Sequence, residues 1–182
     1  MMDKQDNRRR SVRLKEYDYS RPGAYFVTIC TKNRECLMGR IVSGEMKLSE
    51  IGLIAVDAWE WLAVQYPYVE LDISILMPNH LHGIIMITNV GAIHELPLPP
   101  NNPMRRRIML IPKIIGYAKM NTAKFINQSR NTPGTRVWQR NYYEHVIRNE
   151  ADLAEVREYI LNNPARWDED DYNPDLQPGR TD

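Results

Sequence analysis

Leu71-Asp72-Ile73-Ser74-Ile75-Leu76-Met77-Pro78-Asn79-His80-Leu81-His82-Gly83-Ile84-Ile85-Met86-Ile87-Thr88 holds two apolar runs around a short polar corner. The runs, Val69–Leu76 and Leu81–Thr88, have the length and β-branched content of strands. The corner Met77-Pro78-Asn79-His80 is short enough to make them antiparallel neighbours. Side chains alternate faces along a strand, so His80 and His82 point one way and Leu81 the other. Two imidazoles side by side on a stiff strand offer two metal ligands at little ordering cost. A lone His-x-His pair is more often just two histidines, and the rest of the chain has to decide.

Upstream, Ala24-Tyr25-Phe26-Val27-Thr28-Ile29-Cys30-Thr31 reads as a buried strand. Lys32–Glu35 turns it into a second strand near Cys36–Val42, and after Ser43-Gly44-Glu45 the segment Met46–Leu48 extends the hairpin. Ser49 is an N-cap with Gly52 three residues on, followed by Leu53, Val56, Ala58, Trp59, Leu62 and Ala63 at helical spacing up to Tyr66. Downstream, residues 89–104 carry four prolines and no period, which predicts a loop that includes His94. Leu110–Ser129 is an amphipathic helix with Ile111, Ile114, Ile115, Ala118, Thr122, Phe125 and Ile126 on one stripe. Pro133-Gly134 breaks the chain before two extended segments, Val137–Gln139 and Tyr142–Ile147. Asn149 then caps a last helix through Asn163, with Leu153, Val156 and Ile160 inward and Pro164 ending it. Two helices on one face of an antiparallel sheet make an α+β fold.

A chain of 182 residues suits one domain, placed at 22–167 between an N-terminal arm over 1–21 and an acidic tail over 168–182. No apolar run approaches the roughly 18 residues of a membrane span, and the first residues hold no secretory signal, so a cytoplasmic location away from the membrane is expected. Cys30 and Cys36 have no second pair, which points to reduced thiols rather than a zinc site. The net charge of +1 conceals a sharp asymmetry: residues 105–148 carry ten basic side chains and one acidic, and residues 149–182 carry three basic and ten acidic. The basic block also holds Tyr117, Phe125, Trp138, Tyr142 and Tyr143. Cations interleaved with aromatics suit single-stranded nucleic acid, whose phosphates and exposed bases they bind. The DNA-contacting candidates are Arg105, Arg106, Arg107, Lys113, Lys119, Lys124, Arg136 and Arg140, with Arg8, Arg9 and Arg10 as an auxiliary arm.

Tyr159 and Asn163 lie four apart on the last helix and share a face, at the edge of the Val156 stripe. Packing tyrosine and C-terminal cap are the plainer readings of these two. Together with Tyr25-Phe26-Val27-Thr28, Met77-Pro78-Asn79-His80-Leu81-His82, the run Trp138–Arg148 and Tyr159-Ile160-Leu161-Asn162-Asn163-Pro164, they resemble the REP-associated tyrosine transposases. These are a branch of the single-tyrosine, His-hydrophobe-His transposases of single-stranded DNA, and the resemblance spans nearly all of residues 10–167.

That resemblance implies a ferredoxin-like α+β fold with helices on one face of the sheet and a C-terminal catalytic helix. It implies Tyr159 as nucleophile and His80 and His82 as ligands of Mg²⁺ or Mn²⁺. Asn163 stands where many relatives carry a glutamine as third ligand. The implied partner is a single-stranded DNA hairpin, cleaved and rejoined through a 5′-phosphotyrosine by a protein acting as a monomer or homodimer, the monomer being favoured. No nucleotide cofactor is expected, since the chain has no Gly-rich phosphate loop. The imidazoles are expected to face the surface and to contribute little to the core. The runner-up is a domesticated, non-catalytic hairpin-binding protein; a water-activating metal hydrolase would need a third histidine or an acidic cluster near the strand.

Overall fold

The computed structural model describes residues 22–88 and 110–176. The arm, the loop expected over 89–104 and the arginines at 8–10 and 105–107 lie outside the described residues. Among those described, four strands form an antiparallel sheet. They are β1 (Gly23–Cys30), β4 (Val69–Leu76), β5 (His80–Ile87) and β6 (Tyr143–Ile147), in the order β4-β5-β1-β6. A separate hairpin, β2 (Gly39–Val42) with β3 (Glu45–Leu48), turns through Ser43 and Gly44, both at positive φ, which matches the twist of the paired strands. The helices are α1 (Glu50–Gln65), α2 (Leu110–Ser129) and α3 (Glu150–Asn162). This strand–helix–strand–strand–helix–strand core with its split strand order is the ferredoxin-like α+β arrangement, and α3 is added at its end.

Alternation along β1 and β5 divides the sheet into two faces. Tyr25, Val27, Ile29, Leu81, Ile85 and Ile87 pack with Trp59 and Leu62 of α1 and Ile111, Ile114 and Ile115 of α2. Gly83 leaves the room that the Trp59 indole fills; a Cβ there would run into the ring. The opposite face presents Phe26, Ile84 and Met86 to Leu153, Val156 and Ile160 of α3. His80 and His82 alternate with Leu81, so they fall on this second face, under α3.

Caps set the helix starts. Ser49 accepts from the Gly52 N–H at 3.0 Å, and Asn149 accepts from the Asp152 N–H at 2.9 Å. A register shift between Leu71 and Ser74 interrupts the β4–β5 ladder. Asp72 sits within it and receives Arg157 of α3 at 2.6 and 2.9 Å, which ties the helix across the sheet.

Three local expectations change. The strand placed near Cys36–Val42 begins only at Gly39, because the Met38 backbone is drawn aside to bond Pro78 and Ser49 instead of a ladder. Val137–Gln139 contributes a single bridge, Trp138 to Thr31, rather than a strand. Residues 164–176 do not trail away: they make short helical segments over Pro164–Glu169 and Pro174–Leu176, and Asn173 is buried, while 177–182 lie outside the described residues. None of the described helices is long and apolar enough to cross a membrane.

Candidate functional site

His80 opens β5, opposite Cys30 of β1, and His82 follows opposite Thr28. They are 0% and 1% exposed, so the expectation of surface-directed imidazoles is corrected: α3 and the chain after it roof them over. Phe26 stacks on His82 at 5.4 Å, and Tyr172 lies against His80 at 4.6 Å. The two Nε2 atoms face each other at 3.0 Å.

The hydrogen bonds behind the rings set their protonation. Asn79 is fully buried and donates its amide N–H groups to the carbonyls of Arg34, at 3.0 Å, and Tyr172, at 2.7 Å. Its Oδ1 therefore faces His80 Nδ1, 2.8 Å away. An amide oxygen only accepts, so His80 carries its proton on Nδ1 and presents a bare lone pair at Nε2. His82 Nδ1 meets the Thr28 hydroxyl at 2.8 Å, a group that accepts or donates and so leaves His82 Nε2 free to take either role. Burial pushes the His82 pKa down to about 3. Burial, then the His82 ring, then the Arg34 charge lower that of His80 well below its usual value. Both rings are neutral at pH 7, the form that ligates metal.

Tyr159, on α3, is 42% exposed, and its hydroxyl lies 3.3 Å from His82 Nε2. Phe26 meets its ring edge-on at 5.9 Å. Burial first and the Asp170 carboxylate second raise its pKa, so the phenol is protonated at rest. Asn163 caps α3 and is 4% exposed. Its Oδ1 is buried and accepts no hydrogen bond among the described residues, an expensive arrangement for an amide oxygen. One helix thus brings Tyr159 and Asn163 to the histidine pair.

Asp170 joins them. Its carboxylate lies 3.9 Å from His80 Nε2, and the ligand atoms of His80, His82 and Asp170 fall within 4.8 Å of one another. Asp170 lies in the stretch expected as an acidic tail over 168–182. An acidic Pro/Asp-rich stretch has no periodicity to distinguish a folded turn from a solvated end, and only the stop at Pro164 hinted at a change of direction. Arg34 was also missed; it donates to the Asp171 carbonyl at 2.6 Å and sits 5.0 Å over the Tyr172 ring.

The basic candidates divide. Lys113, Lys124, Arg136 and Arg140 are exposed. Lys119 is turned inward, where its ammonium donates to the carbonyls of Gln139, Arg140 and Asn141. That ion ties α2 to the 139–141 turn. Lys113 and Lys124 ride on α2, across the sheet from the histidines.

The fit to a divalent ion rests on these donors. Opposed lone pairs at 3.0 Å repel unless a proton or cation lies between them, and among the described residues Asn163 Oδ1 lacks a partner beside them. An octahedral ion with bonds of about 2.1 Å holds neighbouring ligands about 3.0 Å apart, the spacing of the two Nε2 atoms.

No protein-family model matches the chain. A Haemophilus influenzae protein with no assigned function is 41% identical over 166 residues, covering 89% of this chain and 91% of its own. A second protein of that organism, provisionally named a REP-associated tyrosine transposase, is 25% identical over 149 residues, 82% of this chain and 74% of its own. A solved structure of a REP-associated tyrosine transposase bound to a REP hairpin superposes with a TM-score of 0.51 at 19% identity, covering 80% of this chain and 68% of that one. That last likeness concerns the fold.

Proposed function

We propose that the chain is a relative of the REP-associated tyrosine transposases and, like the family it resembles, a single-stranded DNA transposase that binds a hairpin and cleaves and rejoins a strand through a 5′-phosphotyrosine. The observation that carries the reading is the Tyr159 hydroxyl 3.3 Å from His82 Nε2, beside two imidazoles whose Nε2 atoms are 3.0 Å apart. His80, His82 and Asn163 would hold Mg²⁺ or Mn²⁺. A divalent ion so held supplies positive charge that polarises the scissile phosphate and stabilises its oxygens.

The rest falls to the chain's own groups. Tyr159 Oη forms a bond to phosphorus and gives up its proton; the P–O3′ bond breaks, and the departing oxygen takes up a proton as a free 3′-hydroxyl. The phosphotyrosine keeps the phosphoester energy, so a second strand's 3′-hydroxyl reverses the step and rejoins the DNA without a nucleotide cofactor. Asn79 and Thr28 hold the rings in place, and Phe26 and Tyr172 close their flanks against water. Arg136 and Arg140 belong to the stretch that docks at the His80 end of β1, where Gln139 N–H bonds the Cys30 carbonyl, and suit phosphate contacts near the scissile bond.

The test is a denaturing gel of the protein with a labelled single-stranded hairpin and Mn²⁺. The expected result is a covalent adduct that Tyr159→Phe and chelator each abolish, while hairpin binding survives in the Phe variant. Hairpin binding with no adduct under any ion would support the non-catalytic binder instead. An adduct that persists in Tyr159→Phe would move the nucleophile to another tyrosine.

A further inference from the structure

Asp170 is a carboxylate the chain has taken care to place. Its N–H donates to the Trp167 carbonyl at 3.1 Å, and its own carbonyl accepts from Asn173 at 2.8 Å. Its Oδ1 accepts the Tyr172 N–H at 2.7 Å. Tyr172 in turn is held by Asn79 through its carbonyl and by His80 through its ring. The outcome is a side chain only 7% exposed, with Oδ2 turned to His80 Nε2 at 3.9 Å.

Among the described residues the compensation of that charge is partial: the Tyr172 N–H, the Arg34 charge and the Asn163 amide act on the carboxylate, and burial outweighs them. Among the described residues its contact within ion-pair range is His80, a neutral ring. Arg34 hydrogen-bonds the neighbouring Asp171 carbonyl at 2.6 Å and acts on Asp170 through its charge. Burying a carboxylate without a counter-charge is costly, and buried charges are ordinarily paired or coordinate metals. Beside it Asn163 Oδ1, also buried, lacks a partner among the described residues. Asp170 Oδ2, Asn163 Oδ1 and two imidazoles lie together, an arrangement that a single cation would satisfy.

We infer that Asp170 is a further ligand of the divalent ion held by His80, His82 and Asn163, so that the segment after α3 completes the metal site. This rests on the metal reading above and extends it. The set becomes two neutral nitrogens, an amide oxygen and a carboxylate, and the carboxylate brings the anionic charge that the other three lack. An ion with bonds of about 2.1 Å places opposite ligands about 4.2 Å apart and neighbours about 3.0 Å apart. The 3.9 Å separation of Asp170 Oδ2 and His80 Nε2 lies between these limits. Ion binding would also fasten residues 164–173 to the sheet.

The experiment is Mn²⁺ titration of the full chain without DNA, read by loss of the free-ion electron paramagnetic resonance signal. Wild type, Asp170→Asn, Asp170→Ser, His82→Ala and, as control, the exposed Asp168→Asn are compared, each on protein that melts cooperatively. Asp170→Asn and Asp170→Ser should raise the Kd at least tenfold, with Asp168→Asn unchanged, and Mn²⁺ should raise the melting temperature of wild type but not of the Asp170 variants. If both Asp170 variants bind within twofold of wild type while His82→Ala loses the ion, this inference is overturned and the histidine site stands. If wild type binds no Mn²⁺, or His82→Ala binds as well as wild type, the metal reading itself fails and takes this inference with it.

Discussion

Replacing Asn79 with alanine should damage the protein twice, once in stability and once in ion affinity. The side chain makes three hydrogen bonds, at 2.7, 2.8 and 3.0 Å, from a fully buried position. Each is worth about 1 kcal/mol net, and the groups left behind cost more if they stay unpaired. The vacated space takes a water that recovers part of the loss, so a destabilisation of roughly 2–3 kcal/mol is expected. In a domain of this size that lowers the melting temperature by about 4–12 °C. Separately, the ring of His80 loses the acceptor that keeps its proton on Nδ1, and losing such an outer partner weakens metal binding by roughly 10- to 100-fold. The assay pairs thermal melts with Mn²⁺ titration, using Ser49→Ala as a comparator. That variant loses the α1 cap, worth about 1 kcal/mol, and should leave ion affinity alone. An Asn79→Ala protein that melts early yet binds Mn²⁺ like wild type would refute the tautomer argument. Unchanged melting would refute the hydrogen-bond accounting.

Gly83→Ala should cost about 1–3 kcal/mol in urea unfolding, because the new methyl enters the volume of the Trp59 ring; no loss would mean the indole moves freely aside. Asp152 has its pKa held below the usual 3.8 by the His145 ring N–H first and the Arg148 N–H second. A depressed carboxylate stabilises above its unfolded pKa, and the effect is lost as pH falls through the folded one. The melting difference between wild type and Asp152→Asn should therefore be present at pH 7 and shrink below about pH 4, whereas a constant difference would exclude this linkage. Lys124→Ala should weaken DNA binding and flatten its log–log salt dependence by roughly 0.7; Lys119→Ala should instead lower the melting temperature, since its ammonium is bound to carbonyls. If Lys119→Ala affects only DNA affinity, its structural assignment is wrong.

The sequence by itself determined the elements and the two faces of the sheet. The alternation Leu81, Ile85, Ile87 against His80, His82, Ile84 is a local property of an extended chain, and so is the sharing of one helix face by Tyr159 and Asn163. Caps at Ser49 and Asn149 were legible for the same reason, each acting over three residues. Burial was not legible: the histidines are enclosed because α3 and Tyr172 cover them, contacts made across 77 and 92 positions of sequence. Asp170 and Asp168 are the same residue type in the same acidic run, and only the turn closed by Trp167 and Asn173 aims one inward and leaves the other in solvent. Lys119 and Lys124 both stand on α2 among apolar neighbours, and which of them meets the 139–141 carbonyls depends on how the helix docks. Periodicity reports which residues share a face, but a charge's partner is set by whatever packs against that face, which tertiary structure alone decides.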